Sequence, residues 1–356
     1  MNLINWGYNN NWEEFRIKTQ LTEFEPGRVI SEHRERYIVV TKSGEVEAEI
    51  TGNIRFAAIS REDFPTVGDW VLLILHNSEF AIIHKILPRF SVIKRKSVRH
   101  FGEVQLIAAN IDYAFVIQAA GHDFNMNRTE RYLAICYEAG VEPQILLTKT
   151  DLISEDEKEV LIQKIQSRIK NVPVYAISNE TLEGYNELKS IILKGKTYCM
   201  LGSSGVGKST LINNLSGKVV MQTGSISDST QKGRHVTSHR EIILLENGGL
   251  FIDNPGMREV GVADSSHGIE ITFNKILELA KNCRYKDCKH FYESGCAVIE
   301  AVHSGILDKD SYNNYLKMEK EKNHFETTIQ EKRKKEKQLG KIIKDYYRKD
   351  IKRKGK

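Results

Sequence analysis

Gly202-Ser203-Ser204-Gly205-Val206-Gly207-Lys208-Ser209 is a complete phosphate-binding loop. The apolar run Thr197 to Leu201 leads into it, and Lys208 opens a helical pattern that continues through Leu211-Ile212-Asn213-Asn214-Leu215. Strand, glycine loop and helix in that order give the motif its meaning. The glycines let successive backbone N–H groups turn inward around phosphate oxygens at a helix N-terminus, where the helix dipole also favours negative charge. Lys208 would neutralise β- and γ-phosphates, the Ser209 hydroxyl would ligate Mg²⁺, and Thr210 completes the candidate phosphate site. A glycine turn without a ligand is the bland alternative, and the flanking strand and helix patterns weigh against it.

A second motif lies earlier in the chain. Thr148-Lys149-Thr150-Asp151 follows the apolar run Ile145-Leu146-Leu147, which places it in a loop at a strand C-terminus, where open α/β sheets bind ligands. A carboxylate there can accept from the two adjacent N–H donors on the edge of guanine, a pair that adenine does not offer. Two charge-assisted hydrogen bonds of about 1.5–3 kcal/mol each correspond to a preference of about a hundredfold or more. Lys149 would lay its alkyl stem over the base, and Ser178, at the end of the next apolar run, would supply a backbone contact. Alone the tetrapeptide is an ordinary loop; beside a phosphate loop it reads as a guanine site. In ordinary GTPases the phosphate loop comes first. The reversed order predicts a circularly permuted GTPase domain.

Asp253-Asn254-Pro255-Gly256 ends another apolar run and matches the element that senses a γ-phosphate: Asp253 would hold Mg²⁺ through water and the Gly256 N–H would meet the phosphate. The polar stretch from Gln222 to Ser238 suits a switch loop, with Thr237 as candidate Mg²⁺-coordinating threonine. Met257 occupies the place where Ras-type enzymes carry a water-orienting glutamine, so His235 in Gly233-Arg234-His235-Val236-Thr237 becomes the candidate catalytic group. The competing reading is a histidine that contacts RNA or stands free in the switch.

Cys283, Cys288, His290 and Cys296 bring three thiols and one imidazole into a short window. That set predicts a closed, structural Zn²⁺ site of the Cys₃His kind rather than a catalytic metal. The other two of the five cysteines, Cys136 and Cys199, lie on apolar patterns and read as ordinary buried thiols. Three cysteines packed this way, without a secretory leader pattern at the N-terminus, point to metal ligation in a reducing cytoplasm rather than to disulfides.

A chain of 356 residues is long enough for two or three domains. Short β-rich runs between Glu25 and Lys96, with turn signals at Ser43-Gly44 and Gly68-Asp69, predict a small nucleic-acid-binding barrel of the OB type, ahead of an SH3-like one. Pro88 and its basic neighbours are read as closing it. From Val104 to about Val262 apolar runs alternate with helical patterns, the signature of a parallel sheet covered on both faces. Helical patterns, the cysteine window and a long charged helix from about Lys309 follow. The expected fold is therefore multidomain: an OB-like barrel with an N-terminal extension (1–97), a permuted α/β P-loop GTPase domain (98–265) and a mostly α zinc-binding domain with a basic tail (266–356). No apolar stretch approaches the ~18 residues of a membrane span. The net charge of +5 is concentrated toward the Lys/Arg-dominated residues 332–356, which suit a polyanionic partner or simply a solvated helix end.

The motif order, Gly233-Arg234-His235 and the Cys283/Cys288/His290/Cys296 window together resemble the bacterial ribosome small-subunit-dependent GTPase A family (RsgA) over nearly the whole chain. The resemblance implies an N-terminal OB domain, a permuted GTPase domain and a zinc domain. It also implies action in late 30S subunit maturation with subunit-stimulated GTP hydrolysis; rRNA contact, a GTP and GDP cycle and a cytoplasmic monomer are expected beside it. Thr148 stands where the family pattern has Asn, Val236 where it often has Thr, and the segment before Glu25 is not matched to the pattern. The competing functions are a P-loop ATPase or small-molecule kinase, opposed by Asp151, and a module that binds GTP without hydrolysing it, favoured by Met257.

Overall fold

The computed structural model describes residues 1–33, 36–96, 104–219, 240–253 and 266–324. The chain begins with a short N-terminal arm that includes helix α1 (Asn10–Lys18). Five strands follow: β1 (Glu25–His33), β2 (Arg36–Val40), β3 (Glu45–Ile50), β4 (Trp70–Leu75) and β5 (Phe80–Ile86). Their neighbour order is β1-β2-β3-β5-β4, with β4 returning to pair with β1. The barrel is thus closed, its β3–β5 pair is parallel, and helix α2 (Gly52–Ala57) sits between the third and fourth strands. This is the OB-like arrangement. Alternate residues of the strands fill its interior, among them Val29, Val39, Val46, Ala48, Val71, Leu73 and Ile83, as period-two side-chain direction requires.

The barrel does not simply stop at the basic residues after Pro88. Lys94, Arg95 and Lys96 lie on β6 (Val92–Lys96), which pairs with β7 (Val104–Ala109) in a separate two-stranded sheet. Arg89 turns back instead, gripping the fully buried Asp69 carboxylate through two bonds of 2.7 Å. Burial raises the Asp69 pKa, while Arg89 opposes that shift.

Six strands form the nucleotide-domain sheet: β8 (Tyr113–Ala119), β9 (Glu142–Thr148), β10 (Val174–Ala176), β11 (Thr197–Gly202), β12 (Arg240–Leu244) and β13 (Leu250–Asp253). Their order is β10-β9-β8-β11-β13-β12, parallel throughout except for the antiparallel β12. Helices α3 (Met126–Glu138), α4 (Glu155–Arg168), α5 (Tyr185–Ile191) and α6 (Lys208–Ser216) connect them. Along β8, Ala114 and Val116 face one hydrophobic core while Phe115, Ile117 and Ala119 face another. A strand covered on both faces must read as a continuous apolar run. At its far edge β12 pairs with β1 through Ser31–Glu241 and Glu32–Arg240, so the barrel and this sheet share one hydrogen-bonded ladder of eleven strands.

Beyond them come α7 (Ser266–Thr272), α8 (Asn274–Ala280), α9 (Ala297–His303) and helical residues 309–324. α7 approaches α3 so closely that a Cβ on Gly268 would lie 1.9 Å from the Ala134 carbonyl oxygen. The buried Glu130 carboxylate ties the region together, accepting from Arg168, Ser311 and Asn314. Among the described residues no helix is long and apolar enough to cross a membrane.

The N-terminal arm is integral to this architecture. Leu3, Trp6 and Trp12 belong to the same core as Trp70 of the barrel and Val116 of the sheet. At their junction Arg28 is wholly buried. Its guanidinium donates to the Trp6 carbonyl, the Asn110 carbonyl (3.2 Å) and the Thr197 hydroxyl (2.7 Å), and it lies over the Trp70 ring. Burial lowers its pKa to about 10. Arg28→Met is expected to strand these acceptors and cost about 3 kcal/mol. The check is a lower denaturation midpoint together with faster proteolysis within residues 1–24; a variant as resistant as the parent would show that the arm is held by its apolar contacts alone.

Candidate functional site

β9 and β11 flank β8 in parallel, in a register that brings Thr148 beside Ala119 and Gly202 beside Ile117. The base motif and the phosphate loop therefore emerge from the same C-terminal edge of the sheet, two strands apart, despite their separation and reversed order in sequence. That edge is where ligands bind in open α/β sheets.

The loop is shaped by its glycines. A Cβ on Gly202 would sit 2.8 Å from the Ile117 carbonyl oxygen, and Gly205 and Gly207 take φ of +79° and +93°, which other residues rarely adopt. Val206 is buried and pins the loop to the core. Lys208 begins α6, and its ammonium donates to the carbonyls of Gly202 (2.7 Å) and Ser203 (2.5 Å), so it lies across the mouth of the loop. Ser209 and Thr210 occupy the first turn of the same helix, and Ser204 lies within the turn between Gly202 and Gly205.

On the base side, Lys149 adopts the left-handed conformation at φ +60° and Asp151 lies in the short 3₁₀ turn that follows. One Asp151 oxygen accepts from the Ser178 hydroxyl at 2.6 Å, and that hydroxyl also receives the backbone N–H groups of Glu180 and Thr181. Ser178 thus couples to the carboxylate through its side chain. Thr148, where the family pattern has Asn, donates its hydroxyl to the Val206 carbonyl at 2.8 Å. The shorter side chain still ties the base motif to the phosphate loop. Thr150 is buried.

Asp253 ends β13, next to β11 in the sheet. The remaining candidates, Gly256 with Asn254, Pro255 and Met257, and His235 and Thr237 with the rest of the 222–238 run, lie outside the described residues, as do residues 332–356.

Cys283, Cys288, His290 and Cys296 converge, with all four ligand atoms within 4.8 Å of one another. Cys283 Sγ lies 3.8 Å from Cys296 Sγ and 3.7 Å from His290 Nδ1, which is 3.4 Å from Cys296 Sγ. Ligands bonded at about 2.3 Å to a tetrahedral ion lie about 3.7 Å apart. The spacing therefore fits a metal ion, and is far too long for a disulfide. Burial lowers the His290 pKa, favouring the neutral imidazole that a metal requires. Glu293 organises the loop by accepting from the N–H groups of Lys289, Phe291 and Tyr292, which hold its carboxyl down at about 2. Tyr312 donates to the His290 carbonyl and ties the knuckle to helical residues 309–324.

A phosphate loop and a guanine-type carboxylate on one sheet edge, in reversed chain order, define a circularly permuted P-loop GTPase. A family described as RsgA GTPase matches residues 86–263, a span that includes both motifs in that order. A protein of Bacteroides thetaiotaomicron named small ribosomal subunit biogenesis GTPase RsgA 1 is 38% identical over 97% of this chain and 96% of its own. One of Listeria monocytogenes, named small ribosomal subunit biogenesis GTPase RsgA 2, is 40% identical over 90% of this chain and 89% of its own. The chain belongs to the RsgA GTPase family and is a GTP hydrolase. Coverage of 97% leaves too few residues for the whole segment before Glu25 to fall outside the match.

A second family, described as 50S ribosome-binding GTPase, matches residues 197–338. That span starts after the base motif and omits the permuted order, so the RsgA match is the more informative. Among solved structures, YjeQ from Thermotoga maritima superimposes with a TM-score of 0.61 at 24% identity, covering 83% of this chain and 96% of that one. YloQ, described as a circularly permuted GTPase, gives 0.58 at 25% identity over 87% of this chain and 96% of its own.

Proposed function

We propose that this GTPase acts in late maturation of the 30S ribosomal subunit, binding rRNA and hydrolysing GTP in response to the subunit. The observation that carries the reading is the shared sheet edge of base motif and phosphate loop, in a chain whose relatives are named for small-subunit biogenesis. Guanine sits against Asp151, Lys149 and Ser178, with Thr148 and Thr150 shaping the loop, and the phosphates lie in the Gly202–Thr210 loop and meet the Gly256 N–H. Ser209, Thr237 and Asp253 would hold Mg²⁺, which would supply neutralisation of the phosphate charge. His235 orients or deprotonates the attacking water in place of the missing glutamine. The Cys₃His ion is a structural Zn²⁺. The three domains divide near 97 and 265, the protein works as a cytoplasmic monomer, and GTP favours an arrangement that grips rRNA and that hydrolysis loosens.

The test is GTP turnover by the full chain alone, with purified 30S and with purified 50S subunits. Stimulation of about tenfold or more by 30S alone is expected; equal effects of both subunits, or none, refute the assignment. His235→Ala is expected to lower stimulated turnover by about a hundredfold or more at nearly unchanged GDP affinity. Equal turnover would remove His235 from the chemistry.

A further inference from the structure

Asn179, Tyr185 and Asn214 play no part in the roles assigned so far, yet they form a closed hydrogen-bonded set between the two ends of the nucleotide site. The Asn179 amide donates to the Gly207 carbonyl at 3.0 Å. Its oxygen accepts from the Tyr185 hydroxyl at 2.7 Å. That hydroxyl accepts from the Asn214 amide at 3.0 Å, and the same amide donates to the Asn179 backbone carbonyl, also at 3.0 Å. Gly207 caps the N-terminus of α6 and Asn214 lies near the other end of that helix. The base-side loop is thus held to both ends of the helix that opens at the phosphate loop.

Two features show that this is a fitted contact. A Cβ on Gly207 would lie 2.4 Å from the Asn179 amide nitrogen, so the amide packs where only a glycine leaves room. Tyr185 is buried in the core that also holds Phe115, Tyr198 and Leu211, which fixes the ring that carries the hydroxyl. Asn179 also directly follows Ser178, whose hydroxyl holds the Asp151 carboxylate. Two hydrogen bonds joined by the Ser178–Asn179 backbone therefore link Asp151 to Gly207.

We propose that Asn179, Tyr185 and Asn214 are positioning residues that fix the distance between base and phosphate subsites, so that a nucleoside diphosphate engages both without reorganisation. The proposal rests on the reading of Asp151 and the phosphate loop as one guanine-nucleotide site. A preformed spacing gives its benefit only to a ligand that spans it; a ligand using one subsite alone gains nothing.

The experiment compares full-length parent, Asn179→Ala and Tyr185→Phe. It measures release of a fluorescent GDP analogue and competition by GDP and by magnesium pyrophosphate, which meets the phosphate loop alone. GDP is expected to dissociate about fivefold faster from Tyr185→Phe, the worth of one neutral hydrogen bond, and about tenfold faster from Asn179→Ala. Pyrophosphate affinity should stay within about twofold of the parent. Unchanged GDP release in both variants overturns the proposal. So does an equal loss for GDP and pyrophosphate, which would mean that the residues merely keep the loop folded. A parent that binds pyrophosphate but not GDP would instead remove the guanine-site reading beneath it.

Discussion

Asp151→Asn is expected to weaken GDP binding by about a hundredfold or more and to turn preference toward xanthosine diphosphate. The edge of guanine presents two donors, and a carboxylate accepts both; an amide presents one acceptor and one donor, which matches the N–H and carbonyl of xanthine. One Asp151 oxygen already accepts from Ser178 at 2.6 Å, so the side chain is oriented by the protein before any base arrives. Calorimetric titration of parent and variant with GDP and xanthosine diphosphate decides the matter. Equal GDP affinity in the two proteins would exclude Asp151 from base recognition.

Stripping the metal, or replacing Cys296 by Ser, is expected to unfold much of residues 266–324. Cys296 is buried in a small core with Ile269, Phe273, Val298 and Met318, and Cys283 and Cys288 pack against it. Structural zinc contributes about 10–16 kcal/mol in isolated fingers, more than the net of about 3–5 kcal/mol that a small hydrophobic core supplies once chain entropy is subtracted. The expected result is loss of one zinc equivalent per chain, rapid proteolysis within 266–324 and loss of subunit-stimulated turnover. GDP binding should largely persist, because β8–β11 and α6 bury their own cores. A metal-free protein as protease-resistant as the holo form would contradict a structural role.

The parts of the fold that could be read from sequence were those whose chemistry is local. The glycine loop, Asp151 after an apolar strand and the Cys/His window each impose their residue types within a few positions. Strands such as Tyr113–Ala119, buried on both faces, announce themselves as apolar runs broken at most by one polar residue, here Gln118. β12 did not: Arg-Glu-Ile-Ile-Leu is short, half polar and follows a long polar stretch. Its place depends on pairing with β13 and with the distant β1. Nor did β1, whose Glu25-Pro26-Gly27-Arg28 opening looks like a turn. Gly27 is required there because a Cβ would lie 2.5 Å from a Val39 methyl, a contact that no local pattern encodes. Nothing in the local sequence marks Arg28 as the buried centre of a three-way junction, because its acceptors lie on Trp6, Asn110 and Thr197. At the site, the tie from Thr148 to Val206 joins positions 58 residues apart, which no local pattern encodes. Asn179 carried no signal, since its meaning lies in Gly207 and Asn214, 28 and 35 residues further on, across a helix and a strand.

The two rungs between Ser31–Glu32 and Arg240–Glu241 have a mechanical meaning. β12 is the first strand after the polar 222–238 run and is laced on its other side to β13, which ends at Asp253. A barrel pressed against a large particle cannot tilt without shearing those rungs or dragging β12 along. Beside the side-chain contacts around Arg28, load on its outer surface therefore has a backbone route that arrives between the two stretches of chain assigned to the metal and the γ-phosphate.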